Sequence, residues 1–136
     1  MSTDINIYNP EALGQPLGLY KHITRVKASE FLFIAGQLSV NREGTIIGVG
    51  DFEAQMNQVF ANLLTALQSA GADYKNIVKF TTYLKYATDI PEFMRVREKL
   101  FADYFSDGNC PPNTLLVVER LVHEDFLVEV ETTAAI

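Results

Sequence analysis

Apolar residues follow two different rhythms along this chain. Phe52, Met56, Val59, Phe60, Leu63, Leu64 and Leu67 recur every three or four positions, which places them on one face of an α-helix. Asp51 stands where an N-cap belongs, and Gly71 supplies a C-terminal stop. A second helix is predicted to start near Asp89, with Pro91 tolerated in its first turn. Its apolar side carries Ile90, Phe93, Val96, Leu100, Phe101 and Tyr104. Between the helices, over residues 76–86, Val78, Phe80 and Leu84 alternate with Lys79, Thr81 and Lys85. That period-2 pattern predicts a strand with one buried face.

Strands are also expected before the first helix and after the second. The opening segment to Leu19 contains Pro10, Gly14, Pro16 and Gly18 and reads as a short strand followed by a loop. Residues 20–28 hold the β-branched Ile23, Thr24 and Val26, and residues 31–35 are nearly all apolar, ending at Gly36. Ser29 and Glu30 read as a turn between them, so the two strands should pair as a hairpin. Asn41 to Gly44 form a further turn. Two strands close the chain, over residues 114–121 and 126–135, joined by a loop around Val122 to Asp125. The stretch Cys110-Pro111-Pro112 stops any preceding helix, so the first of these strands begins abruptly at Asn113.

The order is strands, helix, strand, helix, two strands, an α+β arrangement in a single domain spanning residues 1–136. Two helices with one apolar stripe each can cover only one face of a sheet. In the strand 114–121, Leu116 and Val118 point one way and Leu115 and Val117 the other. A strand apolar on both sides is expected to be buried on both. A second copy of the chain is the expected cover, with a folded-back N-terminal segment as the alternative.

Composition narrows the function classes. The chain has 136 residues, 48% of them hydrophobic and 21% charged, the profile of a globular domain. No stretch approaches the roughly 20 apolar residues of a membrane helix, and no signal peptide is visible at the N-terminus. One cysteine, Cys110, cannot form an internal disulfide, which suits a reducing, cytoplasmic setting. Eleven basic residues against seventeen acidic ones give a net charge of −6, opposing a nucleic-acid partner. His22 and His123 show no metal-ligand spacing with Cys110 or a carboxylate motif. No nucleophile elbow, phosphate loop or dinucleotide fingerprint occurs.

Several short segments, in order and spacing, carry a resemblance. They are Leu17-Gly18-Leu19-Tyr20, Phe33-Ile34-Ala35-Gly36-Gln37, Gly50-Asp51 before a helix holding Gln55 and Asn62-Leu63, and Ala70-Gly71-Ala72. Ile77-Val78-Lys79-Phe80-Thr81, Pro112-Asn113-Thr114, Arg120-Leu121 and Val128-Glu129-Val130-Glu131 complete the set. Together they resemble the RidA/YjgF-like reactive-intermediate deaminases, some of which carry endoribonuclease L-PSP labels. The resemblance implies a six-stranded mixed sheet backed on one face by two helices, similar to the chorismate-mutase-like architecture. It implies homotrimers with small-metabolite clefts between subunits. It further implies hydrolysis of imines or enamines of amino acids to the oxo acid and ammonia, with no metal or organic cofactor.

The same resemblance implies site residues. Glu129 matches the water-activating glutamate and Tyr20 the site tyrosine, the two catalytic candidates. A solvated strand face for Glu129 and a half-buried aromatic closing a strand start for Tyr20 are the plainer alternatives. Alternation sends Glu129 and Glu131 to the face opposite Val128 and Val130, where partial desolvation would raise a carboxyl pKa. Gly36 matches a glycine beside the ligand, whereas Ala35 stands where a serine is usual. Gln37 is expected to hold the turn. Asn113 occupies the position of the family's substrate-gripping arginine and brings no charge. Leu115 belongs to the same candidate substrate surface. His22 and Arg120 are candidate substitutes for the missing charge, with an ordinary ion pair the expected role of Arg120. The chain is therefore expected either to act on an imine, enamine or related carbonyl compound with altered recognition, or to bind a metabolite or protein partner without catalysis.

Overall fold

In the computed structural model, which describes residues 3–136, the elements run β1 (Asp4–Tyr8), β2 (Ile23–Lys27), β3 (Phe31–Gln37), α1 (Phe52–Ser69), β4 (Ile77–Leu84), α2 (Ile90–Tyr104), β5 (Asn113–Val117) and β6 (Val128–Ala135). Both helices lie where the apolar spacing put them. The Asp51 side chain accepts from the Ala54 amide at 3.0 Å and so caps α1. Gly71, just beyond α1, adopts a φ of 74° that a side chain would disfavour. Pro91 lies in the first turn of α2, where its missing N–H costs no helical bond.

Four strands form a mixed sheet in the order β3-β6-β4-β5. β6 runs antiparallel to both β3 and β4, and β5 runs parallel to β4. α1 therefore crosses from β3 to β4, and α2 from β4 to β5, both over the same face. There Met56, Val59, Leu63 and Leu67 of α1 and Phe93, Val96 and Phe101 of α2 meet Phe80, Leu84, Val128 and Val130. Phe101 stacks on Phe80 at 5.7 Å between ring centres and meets Phe105 edge-on at 4.8 Å.

Two of the motif residues prove to be structural. Buried Gln55 donates to the carbonyls of Gly48 and Asp125 and accepts from the Leu127 amide at 2.8 Å. It thereby satisfies loop backbone that burial would leave unpaired. Asn62 does the same for Leu38 and Val40, whose carbonyls it reaches at 3.0 and 2.9 Å.

The N-terminal strands depart from expectation. All six strands form, but β1 and β2 pair with each other as a separate antiparallel ribbon. β2 and β3 do not make the expected hairpin. Ser29 and Glu30 do turn the chain, yet both amides donate to the carbonyl of Ile136, at 3.0 and 2.8 Å. The C-terminal strand β6 thus claims the edge of β3 that a hairpin partner would have used. The ribbon is tied to the sheet by Thr24, whose hydroxyl donates to the Val78 carbonyl at 2.7 Å.

β5 is shorter than expected, ending at Val117. Its apolar residues are not buried on both sides within one chain: Leu116 is 43% and Val117 46% exposed. Phe33 on the same sheet is 83% exposed. Among the described residues no helix is long and apolar enough to cross a membrane.

Candidate functional site

The sequence candidates fall on two opposite faces of the sheet. Asn113 pairs with Phe80 and Leu115 with Thr82 in the parallel ladder, so both share the helix-side face with those core residues. The Thr82 hydroxyl donates to Asn113 Oδ1 at 2.8 Å. That bond satisfies a buried hydroxyl and leaves the Asn113 amide nitrogen as the group free to donate. Above them lies a cavity of about 250 Å3. The loop residues Leu17 and Tyr20 close one side, Phe93 and Met94 of α2 another, and Asn113 and Leu115 form the floor. Half-buried Tyr20 holds the loop in place, its phenol oxygen accepting from the Leu17 amide at 3.3 Å.

A seventh residue lines this cavity, and no motif pointed to it. Arg97 is 2% exposed. Among the described residues its one hydrogen-bond partner is the Met94 sulfur, 3.0 Å from Nη2, and its Nε has none. The guanidinium carbon lies 4.8 Å from the centre of the Phe93 ring. Burial pulls the Arg97 pKa down, an effect only partly offset by its neighbours Cys110 and Tyr20. Cys110 is itself buried, and burial pushes its thiol pKa up, so it offers no anion. Gly18 permits this packing, because a Cβ there would collide with Nη2. The sequence did carry a signal. Arg97 lies four residues after Phe93 and three before Leu100, inside the apolar stripe of α2.

Glu129 lies on the other face, as strand alternation required. It pairs across the ladder with Tyr83, and its side chain runs beside Gly36, where any Cβ would overlap the carboxylate. Gly36 sits at a register shift between Ile34 and Gln37 that bends β3. Glu129 is half-buried, and burial raises its pKa, with the nearby charge of Glu131 adding to the rise. Glu131 is exposed. Ala35 presents only a methyl group to this face, and its carbonyl accepts from the Gln37 side chain at 3.0 Å, so Gln37 does hold the turn.

His22 meets the Tyr20 ring edge-on, 6.1 Å between ring centres, but does not line the cavity. Its Nε2 lies 2.8 Å from the Gly14 carbonyl, and its ring lines a different groove beside Lys79 and Pro112. As a substitute for charge at Asn113 it is misplaced, because its loop engages it locally. Arg120 makes no ion pair among the described residues. Its guanidinium instead donates to the carbonyls of Leu121 and Val122 at 3.1 and 3.2 Å.

The profile of the endoribonuclease L-PSP family matches residues 11–136. The chain belongs to this family, that of the RidA/YjgF-like proteins. A RutC family protein of Synechocystis is 36% identical to it, over 89% of this chain and 88% of the relative. The 3-aminoacrylate deaminase RutC of Acinetobacter baylyi is 27% identical, over 92% and 93%. The crystal structure of YyfB, a Rid family protein of unknown function from Yersinia pestis, superposes with a TM-score of 0.86. It shares 27% identity and covers 97% of this chain and 98% of that one. The Rid fold is thus common ground.

Proposed function

We propose that the chain forms a homotrimer that hydrolyses a small imine or enamine in clefts between subunits. One observation carries this reading. The candidate residues divide between two faces of one chain, with Tyr20, Asn113 and Leu115 on the helix side and Glu129 and Gly36 on the open side. A cleft between copies would join the half-site of one chain to that of the next. The exposed Phe33, Leu116 and Val117 supply the apolar surface such contacts bury. The deaminase name of the Acinetobacter relative favours the same chemistry.

In this reading the Glu129 carboxylate takes a proton from water as the water oxygen bonds to the imine carbon. That proton passes to nitrogen to give a carbinolamine; Glu129 then moves the hydroxyl proton to the same nitrogen as the C–N bond breaks, so ammonia leaves and the carbonyl forms. Tyr20 and the Asn113 amide orient the substrate by hydrogen bonds. An enamine is first protonated at carbon to give the same imine. Because burial raises its pKa, Glu129 loses base activity as pH falls through that raised value, so the rate declines on the acid side.

The test is ammonia release from freshly generated 2-aminoacrylate, 2-iminobutyrate and 3-aminoacrylate. Wild type should accelerate at least one, and Glu129→Gln should reduce that rate by ~10²–10⁴-fold, the usual worth of a general base. The loss of donors at Ala35 and Asn113 favours a second reading, metabolite binding without catalysis. Tight metabolite binding with no ammonia from any of the three would select it.

A further inference from the structure

Arginine is almost never fully buried without a partner, because an unpaired charge loses its hydration and gains nothing in return. Arg97 is such a case. It faces a cavity, where its guanidinium meets a thioether and an aromatic ring and makes no ion pair among the described residues. The same α2 turn shows the contrast, for Arg95 contacts the carboxylates of Glu53 and Glu92 from the exposed side. The other polar side chains lining the cavity are the Tyr20 phenol and the Asn113 amide. No acidic side chain lines it. Among the described residues, none supplies the missing counter-charge.

We propose that Arg97 is the anion-holding residue of this cavity, and that the cavity takes the carboxylate of a small aliphatic 2-oxo or 2-imino acid. The guanidinium fork would accept the carboxylate through two charge-assisted bonds, with the Asn113 amide donating alongside. Leu17, Phe93, Met94 and Leu115 would enclose a short hydrocarbon tail, and about 250 Å3 limits the ligand to a few carbons beyond the carboxylate. The positive charge absent at position 113 is thus provided from the neighbouring helix. The inference rests on the intersubunit-cleft reading for the reaction, but not for the binding of the acid.

The test is calorimetric titration of the intact oligomer with 2-oxobutyrate and, as an uncharged analogue, butanone. Wild type should bind the acid in preference to the ketone. Arg97→Met, which keeps the stem volume, should weaken 2-oxobutyrate by roughly 10- to 100-fold and leave butanone nearly unchanged. The ratio of the two affinities is the readout, since a merely structural loss would lower both alike. Melting temperature gives a second one. Removing an unpaired buried charge should leave it unchanged or raise it. An unchanged ratio in Arg97→Met, or no preference for the acid in wild type, overturns the assignment. If the variant does not fold, Gly18→Ala displaces Nη2 with the charge kept. It should lower the ratio in the same direction, and an unchanged ratio there also overturns the assignment. Acid binding without ammonia release would refute the deaminase reading and leave Arg97 as assigned.

Discussion

The two faces of the central sheet follow opposite rules. On the helix side nearly everything polar is either absent or matched: Gln55 has three backbone partners, and Thr82 has Asn113. The open side leaves Phe33 and Leu116 uncovered and keeps a half-buried carboxylate, Glu129, that makes no ion pair among the described residues. Each side carries a charged exception to its own rule, and on the helix side the buried Thr132 hydroxyl also lacks a partner among the described residues. Arg97 is the unmatched charge inside the satisfied face, and Glu129 is the desolvated acid on the unfinished one. A folded chain retains such costs where another molecule removes them.

If the helix side is the face that holds the fold together, damage there should register as stability. Leu63→Ala, at a fully buried position in α1, should cost about 2–5 kcal/mol in urea denaturation, whereas a loss below 1 kcal/mol would mean that the core is looser than described. The open side should respond through association instead. Phe33→Asp places a charge on an apolar surface, and should weaken self-association by ~100-fold or more while leaving the circular dichroism spectrum unchanged. Persistence of the wild-type mass in sedimentation would separate Phe33 from any interface.

The smallest effect is expected on the solvent side of the helices. There Glu53 accepts from Arg95 at 2.6 Å and Lys99 at 2.7 Å, holding α1 to α2. Hydrogen bonds from Lys99 and Arg95 lower its pKa from 4.5 to about 2. A depressed carboxylate contributes stability above its unfolded pKa and loses it as pH falls through the folded one. Glu53→Gln should therefore lower the melting temperature slightly, by ~2 °C or less, at neutral pH. The difference should shrink between pH 4.5 and 2 and vanish below.

Much of this contrast was legible in the sequence. Period-2 alternation alone put Glu129 opposite Val130, and apolar spacing with Asp51 and Gly71 bounded α1. Pairings between distant segments were not legible. The preference of β3 for β6 over β2 depends on the Ile136 carbonyl, more than a hundred residues from Ser29. The face chosen by Asn113 depends on its register with Phe80 and Thr82, which nothing local to residues 110–115 encodes. Arg97 was visible as a charge inside an apolar stripe. Its significance depended on the absence of a carboxylate nearby, and only the folded arrangement reveals that.

In the proposed assembly the helix-side half of one chain works with the open-side half of another. Mixing two variants measures this directly. Arg97→Met and Glu129→Gln chains should each release little ammonia alone, and after co-refolding at equal amounts should recover about a quarter of wild-type activity. Random assembly puts an intact half on both sides of one cleft in four. Mixed oligomers that form and remain as inactive as the separate variants would contradict a site shared between chains.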